Sequence, residues 1–177
     1  MKIKVFSTIP FLKGPRIIIR GLDKNDYPGL KTLVDSREVY RYLPTFLYEK
    51  QYDDIYYIID HLYNECLKES MILGVFTDNR FCGLAEMYGL NDHIHKISIG
   101  YRFLKDFWGQ GIATEALGIM INYLYNETDI EIITASTMVE NIASATVLRK
   151  NGFDLVVHAA YEDWGYDKPT VTDKWIR

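Results

Sequence analysis

Asp106-Phe107-Trp108-Gly109-Gln110-Gly111-Ile112-Ala113-Thr114-Glu115-Ala116 is the stretch whose reading decides the fold. Its glycines at 109 and 111 let the backbone turn sharply and come close to a ligand. Behind them, Ala113, Leu117, Ile121 and Leu124 recur at helical spacing, which predicts a helix over 113–126. In front, residues 95–104 alternate as a strand does. Ile97, Ile99, Tyr101 and Phe103 share one face, and Lys96, Ser98, Gly100 and Arg102 share the other. The loop therefore joins a strand to a helix. Free N–H groups of a first helical turn converge on one point, and the helix dipole adds positive potential there. Such a place suits a pyrophosphate. None of the residues from Trp108 to Thr114 is basic, and backbone donors require none to be. Read alone, the glycine pair also fits a plain structural turn. A P-loop is excluded, because no lysine follows Gly111. A dinucleotide fingerprint wants a small residue where Thr114 stands.

Working outward, 16–22 reads as a strand, and 26–34 as a short helix with Pro28 in its first turn. Residues 37–50 are aromatic and irregular, with Pro44 as a breaker. Over 51–68 a helical period places Ile55, Ile58, Ile59, Leu62 and Cys66 near one face. Residues 70–77 and 80–88 form a hairpin around Asp78-Asn79, and the strand at 95–104 extends it to an antiparallel meander. After the glycine loop and its helix comes a strand at 131–137. A helix then starts at Asn141 and stops at Gly152. Strands at 154–164 and 170–177 close the chain. The order predicts one α/β domain over 1–177, a mixed sheet with helices on both faces.

The chain has 177 residues, of which 48% are hydrophobic and 25% charged, so it can bury a core without metal or disulfide staples. Its net charge of -4 argues against a nucleic-acid partner. Fourteen tyrosines suit a half-wet binding cleft. Cys66 and Cys82 form no C-x-x-C pair and read as buried free thiols. No leader-like segment opens the chain and no apolar run could span a membrane, which predicts a cytoplasmic protein. Asp92, His93 and His95 sit at a turn without a further ligand at suitable spacing, so no metal site is expected. His61 and His158 read as packing or surface residues.

Two motifs carry a family resemblance. W-G-Q-G-I-A-T-E-A at 108–116 is followed by N-I-A-S-A-T-V-L-R-K-N-G-F at 141–153. S-I-G-Y-R-F-L at 98–104, R-I-I-I-R-G-L at 16–22 and E-V-Y-R-Y-L at 38–43 extend it over nearly the whole chain. The set resembles the GNAT superfamily of acetyltransferases, within it the RimJ/RimL-like branch that acetylates ribosomal-protein N-termini. The resemblance implies a mostly antiparallel sheet, splayed open between the strands at 95–104 and 131–137, with acetyl-CoA as co-substrate in the split. It implies backbone pairing of the pantetheine arm near Phe103 and Leu104. The family's Q/R-x-x-G-x-G/A pattern falls on Trp108, Gly111 and Ala113, Trp108 departing from the usual residue. Pyrophosphate would rest on N–H groups across Gly109, Gln110, Gly111, Ile112, Ala113 and Thr114. By analogy the acceptor is a primary amine, either a protein N-terminus or a small molecule, and the chain a homodimer.

Amide formation needs an acceptor for the amine's proton, donors for the oxyanion, and a donor for the leaving thiolate. Many relatives carry a tyrosine seven residues after the motif asparagine; here that position is Leu148. Asn141 and Ser144 match the branch, which implies a contact to the pantetheine and to the sulfur respectively. Asn141 also reads as a helix N-cap. Relatives often have a glutamate where Ser98 stands, so Glu86, on the neighbouring strand, is the substitute base, against its plainer reading as a solvated strand residue. Tyr40, Tyr42, Leu43, Pro44 and Phe46 either line the acceptor pocket or form an ordinary core cluster. The lost glutamate and tyrosine leave a second reading open, a non-catalytic acyl-CoA-binding module.

Overall fold

The structure is a computed structural model that describes residues 2–63 and 69–177, apart from the side chain of Leu62. Cys66 and the predicted end of its helix lie outside the described residues. The strands are β1 (Leu12–Lys13), β2 (Ile17–Arg20), β3 (Ser70–Thr77), β4 (Arg80–Asn91), β5 (Lys96–Phe103), β6 (Ile132–Met138), β7 (Asp154–Glu162) and β8 (Thr170–Ile176). They form one sheet in the order β1-β2-β3-β4-β5-β6-β8-β7. Every neighbouring pair is antiparallel except β5 with β6. The hairpin turn at Asp78 and Asn79 has positive φ at both residues, 48° and 60°, as a tight two-residue connection requires.

Period-two alternation sends side chains to two different cores. Met71, Leu73, Val75, Cys82, Ala85 and Met87 join a cluster with α5 (Ile112–Glu127) and α6 (Ile142–Lys150). Ile72 and Leu84 join the opposite cluster, under α1 (Tyr27–Asp35) and Ile55, Ile58 and Ile59. The middle strands are thus covered on both faces. Cys82 is a buried free thiol, as its sequence context suggests.

The predicted helix over 51–68 is interrupted. Short helices occupy Arg37–Tyr40 (α2), inside the segment expected to be irregular, and Tyr48–Gln51 (α3), at its end. The chain restarts at Ile55–Tyr57 (α4), where Asp54 accepts from the Tyr57 N–H at 3.1 Å, and continues as a π-helix over Ile58–Tyr63. An Asp side chain that caps a new turn competes with the old one, so the apolar period survives while the helix breaks. Ile55, Ile58 and Ile59 still point inward, at 5%, 0% and 1% exposure.

The sheet opens where the sequence resemblance expects. β5 and β6 pair only at Lys96↔Ile132, Ile97↔Ile133 and Ser98↔Thr134. Beyond that, β5 follows β4 to Phe103 and β6 follows β8 to Met138. Ser98 Oγ and Thr134 Oγ1, 2.8 Å apart, pin the apex of the split.

Candidate active site

The glycine loop leaves an open helix end. Gly111 is the N-cap of α5 at φ 78°, and no side chain caps it. The first N–H groups of the helix are therefore unpaired within it, and Glu115 is the first residue to donate back, to the Gly111 carbonyl at 3.0 Å. α6 is built differently: Asn141 Oδ1 accepts from the Ser144 N–H at 3.1 Å. The cap role read for Asn141 is real, and its amide nitrogen makes no hydrogen bond among the described residues.

Sequence spacing gave no sign of Arg16 at this loop. Its Nε lies 2.7 Å from Glu115 Oε2 and its Nη1 donates to the Gln110 carbonyl at 2.9 Å, across 94 residues of chain. In a trans peptide the carbonyl of residue 110 and the N–H of residue 111 point oppositely. Arg16 thus fixes the direction of the Gly111 N–H while placing a half-exposed cation beside the loop. Arg16→Ala is expected to weaken acetyl-CoA binding about 5–10-fold, or about 1 kcal/mol, in a calorimetric titration.

The backbone of the split corrects one expectation. The Leu104 N–H donates to the Cys82 carbonyl at 2.8 Å and the Leu104 carbonyl accepts from Phe107 at 3.0 Å, so both groups are spent inside the protein. Antiparallel pairing alternates in direction, so Tyr101 and Phe103 turn their backbone groups toward the split. The Phe103 carbonyl accepts from Trp108 Nε1 at 2.7 Å. Trp108 is therefore bound to the mouth of the split by its side chain, with the Phe103 N–H and the Tyr101 groups beside it.

A cavity of about 700 Å³ runs from the split to the far face of the sheet. Glu86, Ser98, Tyr101, Arg102, Asn141, Ser144 and Leu148 all line it. Tyr42, Leu43, Pro44 and Phe46 close one side, as the pocket reading of that segment expects. They are laced to the β7–β8 loop: Tyr166 donates to the Leu43 carbonyl at 2.7 Å and Thr45 N–H to the Trp164 carbonyl at 2.9 Å. Tyr40 is not in the wall. Its hydroxyl donates to Glu49 Oε1 at 2.8 Å, behind the pocket.

Glu86 is not a solvated strand residue. Its side chain is 13% exposed, and Arg102 Nη1 donates to its Oε2 at 3.1 Å. Burial pushes its carboxyl above the usual range, Arg102 pulls it down and Glu49 pushes it up again, with a net rise. Arg102, which alternation puts on the same face as Lys96, Ser98 and Gly100, has a side chain only 3% exposed. Its Nε makes an ion pair with Glu49 Oε1 at 2.6 Å that lacks hydrogen-bond alignment, and its Nη2 has no partner among the described residues. Tyr63 adds a donor to Glu49 Oε2 at 3.2 Å. Removing one member of such a group strands a buried charge. Arg102→Met is expected to cost about 3–5 kcal/mol of folding free energy in urea denaturation.

His95 Nδ1 lies 3.6 Å from Asp129, and no set of three metal-ligating residues gathers among the described residues. No helix among them is long and apolar enough to cross a membrane.

This geometry has counterparts in known proteins. The family model of the acetyltransferase (GNAT) domain matches residues 16–154. The chain belongs to the GNAT acetyltransferase family. Probable N-acetyltransferase YjcK of Bacillus subtilis is 29% identical to it over 155 residues, covering 80% of this chain and 82% of that protein. Among solved structures, RimL, the ribosomal L7/L12 α-N-protein acetyltransferase with coenzyme A, superimposes with a TM-score of 0.81 at 19% identity, covering 95% of this acetyltransferase and 97% of RimL. Spermidine N-acetyltransferase from Vibrio cholerae, with CoA and spermine, gives 0.76 at 17% identity, covering 93% of this chain and 96% of that one. At these identities the two structures speak to the fold of the acetyltransferase, which they share.

Proposed function

We propose that this N-acetyltransferase, whose family uses acetyl-CoA, passes the acetyl group straight to a primary amine held in the 700 Å³ cavity. Glu86 takes the amine's proton, directly or through water. Asn141 and Ser144, at the start of α6, meet the pantetheine and the sulfur. The uncapped N–H groups from Gly111 to Thr114 hold the pyrophosphate, with Gly109 and Gln110 shaping the loop around it. The Tyr101 and Phe103 backbone takes the pantetheine amides. One observation carries this reading: a single cavity joins a buried carboxylate of raised pKa to the hydroxyl at the start of α6 across an open strand edge. Residues 1–177 then act as one domain, which the single sheet supports.

The acceptor follows from the wall. Glu49, Glu69, Glu86, Glu162 and Asp163 line the cavity; Arg102 pairs with Glu49 and Glu86 and Lys174 with Glu162, and the negative charge left over favours a cationic amine. RimL acts on a protein α-amine and the Vibrio enzyme takes a polyamine, so both classes are candidates for this chain. A homodimer remains part of the proposal by analogy with the branch. The alternative, a binding module without turnover, draws on Ser98 and Leu148. Ser98 is bound to Thr134 and cannot serve as a base. Rates of thiol release with basic peptides and with polyamines, compared under one condition, assign the acceptor. Release with neither class would favour the binding module.

A further inference from the structure

Leu148, where many relatives place their tyrosine, is fully buried at 0% exposure and has no proton to give. A phenol reaches that place from the other wall of the split. Tyr101 extends from β5 so that its hydroxyl lies 2.9 Å from Ser144 Oγ and 3.3 Å from the Ser144 carbonyl. Tyr101, Ser144 and Leu148 line the same cavity. With the Tyr101 hydrogen directed at Ser144, whose Oγ and carbonyl both accept, the Ser144 O–H is left for a third atom. Ser144 stands in the first turn of α6, whose dipole favours negative charge beside it. Burial pushes the Tyr101 phenol well above its ordinary range, with the Ser144 hydrogen bond opposing, so the group is a neutral donor at working pH.

We propose that Tyr101 and Ser144 together form the proton donor to the departing CoA thiolate, the β5 phenol replacing the tyrosine that relatives carry on α6. The inference rests on the reading that the thioester lies beside Ser144. The amine nitrogen bonds to the acetyl carbon, the C–S bond breaks, and its electron pair stays on sulfur. Sulfur takes the free O–H proton of the pair. The proton released by the amine to Glu86 returns to the pair through water. One proton leaves nitrogen and one arrives at sulfur, so charge and atoms balance.

A leaving group that needs no proton separates this role from simple packing. Tyr101→Phe keeps the ring, and Ser144→Ala is the second variant. With an alkyl thioester such as acetyl-CoA, each is expected to lower kcat about 100-fold, the lower edge of acid–base contributions. The acetyl-CoA dissociation constant should stay within about twofold, since the lost interaction acts in the transition state. On a small aryl thioester, whose thiolate leaves unaided, wild type and both variants should converge. Equal deficits on the alkyl and aryl donors, or an unchanged kcat in Tyr101→Phe, would overturn the proton-donor role. Wild-type protein that releases no thiol from either donor would instead overturn the underlying reading, and the inference with it.

Discussion

Glu86→Gln is expected to lower kcat at neutral pH by about 10²–10⁴-fold, the range a general base supplies. The amide keeps an oxygen for Arg102 Nη1, now at 3.1 Å from the carboxylate, so the buried cluster stays assembled. Acetyl-CoA affinity should therefore hold, because the change falls on proton transfer rather than on the cofactor wall. The pH dependence gives a second check. A base works only when ionised, and burial raises the Glu86 carboxyl above its ordinary value. Activity should thus rise with pH through a midpoint above the usual carboxylate range, and the Gln variant should lose that limb. Unchanged turnover at neutral pH would remove Glu86 from the mechanism.

Gly111→Glu should abolish cofactor binding. Gly111 has φ 78°, a left-handed conformation that costs an L residue about 1–2 kcal/mol. A β-carbon there would meet Arg16 Nη2 at 3.3 Å, tight enough to disturb the guanidinium that orients the loop. The carboxylate would also bring negative charge to an uncapped helix end suited to phosphate. Together these should raise the acetyl-CoA dissociation constant more than about 100-fold, or about 3 kcal/mol. A titration of the variant that matched wild type would place the pyrophosphate elsewhere.

The loop and the two helices behind the site were legible because their signals are local. Gly109, Gly111, Asn141 and Gly152 are punctuation that works within a few residues of chain, and the structure puts each at a turn or cap. The split was legible only through resemblance, since nothing in the alternation of β5 says where a neighbour stops pairing. Alternation placed Arg102 on the face opposite Phe103 but said nothing of its burial. Period two tells which face a side chain takes, not what lies over that face, and here a second helical layer seals it. Glu49 went unseen for a related reason: its partners Tyr40, Tyr63 and Arg102 come from three separate elements. Arg16 and Tyr101 gained their places at the site by contacts across 94 and 43 residues of chain, which no window of sequence reports.

The most direct test of the central claim is thiol release from acetyl-CoA by the purified protein, with and without a panel of basic peptides and polyamines. The account predicts release that depends on an amine and matches acetylated amine one for one. Tight acetyl-CoA binding with no release for any amine, or release that leaves every amine unmodified, would contradict it.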